Sequence, residues 1–155
     1  MSRTQKVLLG LLAVFIILQF FRPEKNRSSA PTPNDLFAHY QAPDSLKQLI
    51  KTACYDCHSN NTVYPWYSQI QPVAWWLDDH IKVGKKKFNF SEFASYNPKK
   101  ADHKMEELIE MVKEEEMPLK SYTIVHTDSR LSNEQRIAMT NWAAGIRKQI
   151  QPNIQ

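Results

Sequence analysis

The residues Cys54-Tyr55-Asp56-Cys57-His58 decide how this 155-residue chain is read. They hold its only two cysteines, spaced C-x-x-C, with a histidine directly after the second. A disulfide across so short a loop would stabilise little. A thioredoxin-like dithiol needs a βαβ setting, which the chain lacks. A zinc site wants four ligands, and neither a second cysteine pair nor an H-x-x-x-H string is present. The reading that uses all three side chains is covalent haem attachment. Each thiol forms a thioether with one vinyl group. The vinyls sit on neighbouring pyrroles, so the thiols must lie about one helical turn apart, as i and i+3 do. This assigns Cys54 and Cys57 as attachment points of a haem c. His58 becomes the proximal iron ligand, approaching from the anchored side.

Working outward, Arg3 and Lys6 precede an apolar run from Val7 to Phe21 that only Gly10 and Gln19 interrupt. A basic start followed by such a run reads as an export signal. At 1.5 Å per residue it spans about 22 Å, slightly short of a bilayer core. No A-x-A site follows, and a cut after Ser28-Ser29-Ala30 would leave Pro31 at the new terminus. No cysteine follows closely, which excludes lipoprotein processing. The expectation is an uncleaved signal anchor over residues 1–25, with a cleaved, secreted form as the alternative. Arg22, Lys25 and Arg27 follow the run, so flanking charges do not set its orientation. Haem attachment does. That chemistry takes place outside the bacterial inner membrane, so a single-pass protein with its haem domain in the periplasm is expected.

Charge divides unevenly. Residues 1–27 hold Arg3, Lys6, Arg22, Lys25 and Arg27 against Glu24 alone, which accounts for the whole formal charge of +4. The remainder is neutral, so the basic balance gives no support to nucleic-acid binding. Residues 26–40 read as a polar linker and 41–150 as one domain. Helical periodicity dominates the domain, so an all-α fold is expected. One helix begins near Asp44, puts Leu46, Leu49, Ile50 and Ala53 on one face, and leads into Cys54. A second covers Lys100 to Glu116, with an apolar stripe of Ala101, Met105, Leu108, Ile109 and Val112. A third starts at Leu131, where Ser132 and Gln135 have capping-box spacing. Its expected apolar side is Ile137, Ala138, Trp142 and Ile146, and it ends before Pro152. The aromatic stretch Val63–Tyr67 and Pro72–Leu77 is expected to be core wrapped around the porphyrin.

A haem carrier needs a second axial ligand. Met117 is the first choice, because Pro118 blocks helix continuation and leaves the methionine on a loop able to face iron. Met105, Met111 and Met139 fall inside helical patterns, where methionine usually packs. His80 and His126 are the alternatives and would give a bis-histidine iron; His39 and His103 read as solvated. Lys82, Lys85, Lys86 and Lys87 form a basic cluster, and Glu114 to Glu116 an acidic one that opposes the dipole of the helix it ends.

The order of helix, C-x-x-C-H, Met-Pro loop and Leu-Ser-x-Glu-Gln…Trp helix resembles a class I cytochrome c. More narrowly, Cys54–Thr62, Tyr64-Pro65-Trp66-Tyr67-Ser68, Pro72–Trp76, Gly84, Asn89–Phe93 and the Met117-Pro118 loop resemble the bacterial haem-binding domain family, over residues 40–150. This resemblance implies a small, exported or membrane-tethered domain with covalent haem c on Cys54, Cys57 and His58, and Met117 as distal ligand. One departure concerns helix packing. The first helix lacks the glycine that many cytochromes c place where it crosses the last, and Ala53 with Ala143 or Ala144 would take that role. The functional expectation is an electron carrier rather than an enzyme, exchanging single electrons with respiratory or membrane-bound redox proteins. The alternatives are a peroxidase, a gas or redox sensor with a displaceable sixth ligand, and a structural haem subunit of a membrane complex.

Overall fold

Seven α-helices and four short 3₁₀ turns make up a computed structural model that describes residues 1–28 and 32–154. No strand occurs among the described residues; the one β-bridge pairs Arg27 with Asn61. The all-α expectation therefore holds. Residues 29–31, on which part of the linker and the candidate cleavage site fall, lie outside the described residues.

Helix α1 (Arg3–Leu18) opens on a capping box between Ser2 and Gln5 and buries none of its residues. It has 16 residues, and among the described residues no helix is long and apolar enough to cross a membrane. The short helix α2 (Leu36–His39) is capped by the Asp35 carboxylate and buries Leu36 and Phe37. Helix α3 (Asp44–His58) buries Leu46, Ile50 and Ala53, the face set by its 3.6-residue period. Helix α4 (Val73–Lys87) ends in Lys85, Lys86 and Lys87, cations placed where the helix dipole favours them. Helix α5 (Pro98–Lys113) starts on the Asn97 cap with Pro98 in its first turn. The turn of α6 (Lys120–Thr123) leads to α7 (Asn133–Ile150), which begins on the expected Ser132–Gln135 capping box.

Helices α5 and α7 form the principal pair. They run antiparallel. Asp102 near the start of α5 binds Arg147 near the end of α7, while Arg136 near the start of α7 donates to the Val112 carbonyl near the end of α5. Met105, Val112, Met139, Ala143, Ile146 and Ile150 fill the seam, and α3 joins the same core through Ile50 and Ala53. Met105 and Met139 are packing residues, as their helical positions suggest.

Three expectations need correction. The buried face of α7 is Met139, Ala143, Ile146 and Ile150; Ile137 and Ala138 point to solvent. Ile146 is buried and Trp142 packs against the core as expected, so only the N-terminal half of the stripe is misplaced, where Met139 rather than Ile137 and Ala138 faces the core. Helix α5 stops at Lys113 rather than Glu116, since Glu115 adopts φ 59° and turns the chain away. The protein by itself does not bury the whole aromatic stretch: Trp66, Trp75 and Trp76 are exposed, while Tyr64, Tyr67 and Leu77 are half-buried and Ala74 is buried. The buried rings are Phe37, Phe88, Phe90 and Phe93, supplied by α2 and by the 3₁₀ segment after α4.

Candidate haem-attachment site

The last turn of α3 carries Cys54, Cys57 and His58. Both cysteines are free thiols at i and i+3 of one helix, each partly exposed. Burial pushes the Cys54 thiol up to about 12, with Cys57 adding to the effect, and pushes Cys57 up to about 11. Both sulfurs therefore stay protonated near neutrality.

His58 is oriented from α4. Its Nδ1 lies 3.0 Å from the carbonyl oxygen of Phe88, just past the end of that helix. A carbonyl only accepts, so Nδ1 carries the hydrogen and Nε2 is the unprotonated nitrogen. Burial pulls the His58 pKa down, against backbone acceptors at Phe88 and Gly84 that raise it. A neutral imidazole with a hydrogen-bonded Nδ1 and a basic Nε2 is the form that ligates a metal. The Phe88 ring meets the imidazole edge-on at 6.3 Å.

Gly84 makes this possible. Helices α3 and α4 approach so closely there that a Cβ on Gly84 would stand 2.5 Å from the Cys57 carbonyl oxygen. This close approach is between α3 and α4; where α3 meets α7, Ala53 and Ala143 are both buried in the shared core.

Asp56, between the cysteines, braces the surrounding chain. Its Oδ1 accepts from the Val63 N–H at 2.9 Å and its Oδ2 from the Tyr122 hydroxyl at 2.8 Å. Its backbone carbonyl accepts from Thr62 Oγ1 at 2.6 Å. Burial, then the Asp56 carboxylate, pushes the Tyr122 phenol well above its usual range, so it remains a donor. Sequence reasoning gives no role to Asp56, Phe88 or Tyr122, and names Gly84 only within the family resemblance. Only Gly84 left a signal there, as a glycine inside a helical stretch, which needs a packing reason.

Among the described residues Met117 makes no hydrogen bond to this cluster. Its N–H donates to the Met111 carbonyl at 3.1 Å, and its own carbonyl accepts from Arg136 at 3.4 Å. The segment that follows it returns to α3 through Tyr122. His80 holds Nδ1 against the Trp76 carbonyl at 2.8 Å, whereas Nε2 of His126 is taken by the Tyr67 hydroxyl at 2.7 Å. His39 bonds the Pro33 carbonyl, and His103 pairs with Glu106 and Glu107 on α5. A cavity of about 570 Å³ opens beside Tyr55 and Asp56, yet none of Cys54, Cys57 and His58 lines it. Lys47, Lys51 and Asp35 line it, which suits a polar solute better than a flat apolar ring. The candidate site therefore rests on the donor set on α3 and not on the cavity.

The residues present fit a haem. Two free thiols at i and i+3 of one helix adjoin a neutral imidazole whose Nδ1 is already held by the Phe88 carbonyl. No curated protein and no solved structure matches the chain. A family model described as a haem-binding domain matches residues 13–145, from within α1 to within α7. That match spans most of the chain and includes Cys54, Cys57, His58 and Met117, and the chain belongs to the haem-binding domain family.

Proposed function

We propose that this protein is a membrane-tethered, periplasmic monohaem c-type cytochrome of the class I kind that transfers single electrons. When bound, haem supplies a one-electron ferric/ferrous couple. Cys54 and Cys57 hold it through thioether bonds, and His58 ligates iron through Nε2. Met117 serves as the distal ligand, and its thioether sulfur favours ferrous iron and raises the potential. The tether is the α1 segment, none of whose residues is buried. The observation that carries the reading is the bond from His58 Nδ1 to the Phe88 carbonyl. It presents Nε2 as a ligand beside two unpaired thiols.

The test is spectroscopic. Purified ferric protein should show the methionine-to-iron charge-transfer band in the near infrared, and Met117→Ala should abolish it. The reduced protein should not shift with carbon monoxide. Replacing Cys54 and Cys57 with Ser should release haem on denaturation. A high-spin wild type that binds carbon monoxide readily would overturn the carrier reading and favour a peroxidase or gas sensor. His80 supports a second ligation scheme, because its bond to the Trp76 carbonyl leaves Nε2 open just as in His58. In that case the band is absent from the wild type and His80→Ala, not Met117→Ala, opens the iron.

A further inference from the structure

The exit of α1 is fastened to the haem domain through Gln71. Gln71 is fully buried. Its backbone N–H donates to Gln19 Oε1 at 2.9 Å, and its side-chain Nε2 donates to the Phe21 carbonyl at 2.6 Å. Its Oε1 accepts from the Trp75 N–H at 3.3 Å, in the first turn of α4. The end of the apolar helix is thereby joined to the beginning of α4 rather than left on a loose stalk.

Around this junction the surface is unusually apolar and aromatic. Phe20 and Phe21 are 81% and 61% exposed on one side of the Gln71 bonds. Trp66, Trp75 and Trp76 are 77%, 40% and 46% exposed on the other. Cations follow at once. Arg22 donates to the Gln19 carbonyl, while Lys25 and Arg27 lie over the Tyr64 ring. Exposed indoles beside basic residues, next to the end of an apolar helix, are the composition of a membrane interface. The ring bodies sit among acyl carbonyls, their N–H groups meet water, and the cations meet anionic headgroups.

We propose that Trp66, Trp75 and Trp76, with Phe20 and Phe21, form an aromatic collar that seats the haem domain directly on an anionic phospholipid surface. The proposal rests on α1 entering the membrane and adds how the domain stands upon it. Asn26 extends the rigid connection, because its side chain bonds the Ser59 carbonyl, one residue after His58, at 2.9 Å. Gly84, where α4 meets Cys57, lies eight residues beyond Trp76, about 12 Å along the helix. The collar therefore keeps the attachment site within about that distance of the headgroups along α4, a placement suited to electron exchange with a membrane-embedded partner.

The test uses the full haem-loaded chain in vesicles of phosphatidylethanolamine and phosphatidylglycerol that contain a phospholipid with a photoactivatable diazirine near its ester carbonyls. Adducts are mapped by peptide mass after flotation. The collar predicts adducts on α1 and on residues 66–76, none on the peptide containing Trp142, and loss of the 66–76 adducts in a Trp66→Ser, Trp75→Ser, Trp76→Ser variant that keeps those on α1. Adducts confined to α1 overturn the collar and leave the tether standing. So does cross-linking of residues 66–76 to a second copy. A chain that neither floats nor labels overturns both.

Discussion

The carbonyl oxygen of Cys57 occupies the position, 2.5 Å away, that a Cβ on Gly84 would require. The nearest obstacles are backbone atoms of α3, with the Cys57 carbonyl carbon at 3.2 Å, so no side chain can swing aside. Gly84→Ala gains about 1 kcal/mol of helix propensity. It loses about 1–3 kcal/mol by overpacking, and more if the helices separate. Separation would also carry the Phe88 carbonyl away from His58. The expected outcome is a lower urea midpoint together with a lower yield of covalently bound haem. An alanine variant as stable as wild type would show that α3 and α4 do not meet so closely. Gly145 is the control, because a Cβ there meets nothing within 4 Å and Gly145→Ala should stabilise α7.

Much of this architecture was legible because it is local. The Cys54–His58 string, the capping box at Ser132 and Gln135, and the stripe through Ala101, Met105 and Val112 each declare themselves within about three turns. What was not legible depends on partners far away in the chain. Tyr122 reaches Asp56 across 66 residues, and the Phe88 carbonyl reaches His58 across 30. No spacing rule encodes such pairs. The same limit explains Trp66, Trp75 and Trp76. Composition marks an aromatic stretch as apolar but does not say whether protein or something else covers it.

Tyr122→Phe tests the brace on the attachment helix. The variant removes the hydroxyl that donates to Asp56 Oδ2 and leaves a half-buried carboxylate with one partner fewer. Leaving such an acceptor unsatisfied costs about 1–3 kcal/mol. Because Tyr122 lies five residues beyond Met117, the variant should also weaken or shift the methionine-to-iron band. Asp56→Asn is the informative comparison, since it keeps an acceptor for the Val63 N–H. Unchanged stability and an unchanged spectrum in Tyr122→Phe would show that the bond does not hold the loop.

The ion pair between α5 and α7 gives stability a defined pH dependence. Arg147 grips Asp102 with two bonds of 2.9 and 3.0 Å, and that hydrogen bonding holds the Asp102 carboxyl below the usual carboxylate range. A depressed folded pKa means that the unfolded chain takes up the proton first as pH falls. The contribution is therefore present above the usual carboxylate range and disappears as pH drops through the depressed value. Asp102→Asn should cost about 1 kcal/mol near neutrality. The difference should vanish in acid, where both proteins carry a neutral side chain. Urea melts of the pair at both pH values are the measurement, and a difference that persists in acid would assign the cost to packing.

Glu115 is a non-glycine residue at positive φ, 59°, in the turn that ends α5. The following N–H groups of Glu116 and Met117 both donate to the Met111 carbonyl, so the turn is fixed by bonds and tolerates the residue at a cost. Glycine pays no Cβ penalty there. Glu115→Gly should raise stability by about 0.5–1 kcal/mol. The variant also gives up a 3.7 Å contact with Arg136, but that pair is mostly solvated at Glu115 and worth little. Glu115→Ala keeps the penalty and should show no gain, which separates the backbone effect from the loss of charge.

The same turn offers the strongest acidic patch beside the proposed distal ligand. Glu114, Glu115 and Glu116 are all exposed and immediately precede Met117. Three carboxylates at a helix C-terminus oppose the dipole, so local stability does not explain them. A docking surface for a basic redox partner does. Glu114→Lys with Glu116→Lys should slow bimolecular electron exchange with a cationic partner at low ionic strength and flatten its salt dependence, because steering acts through the screened field. At high salt the two proteins should converge. The reversal should leave the urea midpoint unchanged or slightly raised, since cations now face the helix end. Stopped-flow rates across a salt series decide the matter: parallel wild-type and variant curves would remove the patch from the encounter and leave the lysines of α4, Lys82, Lys86 and Lys87, as the surface to test against an acidic partner.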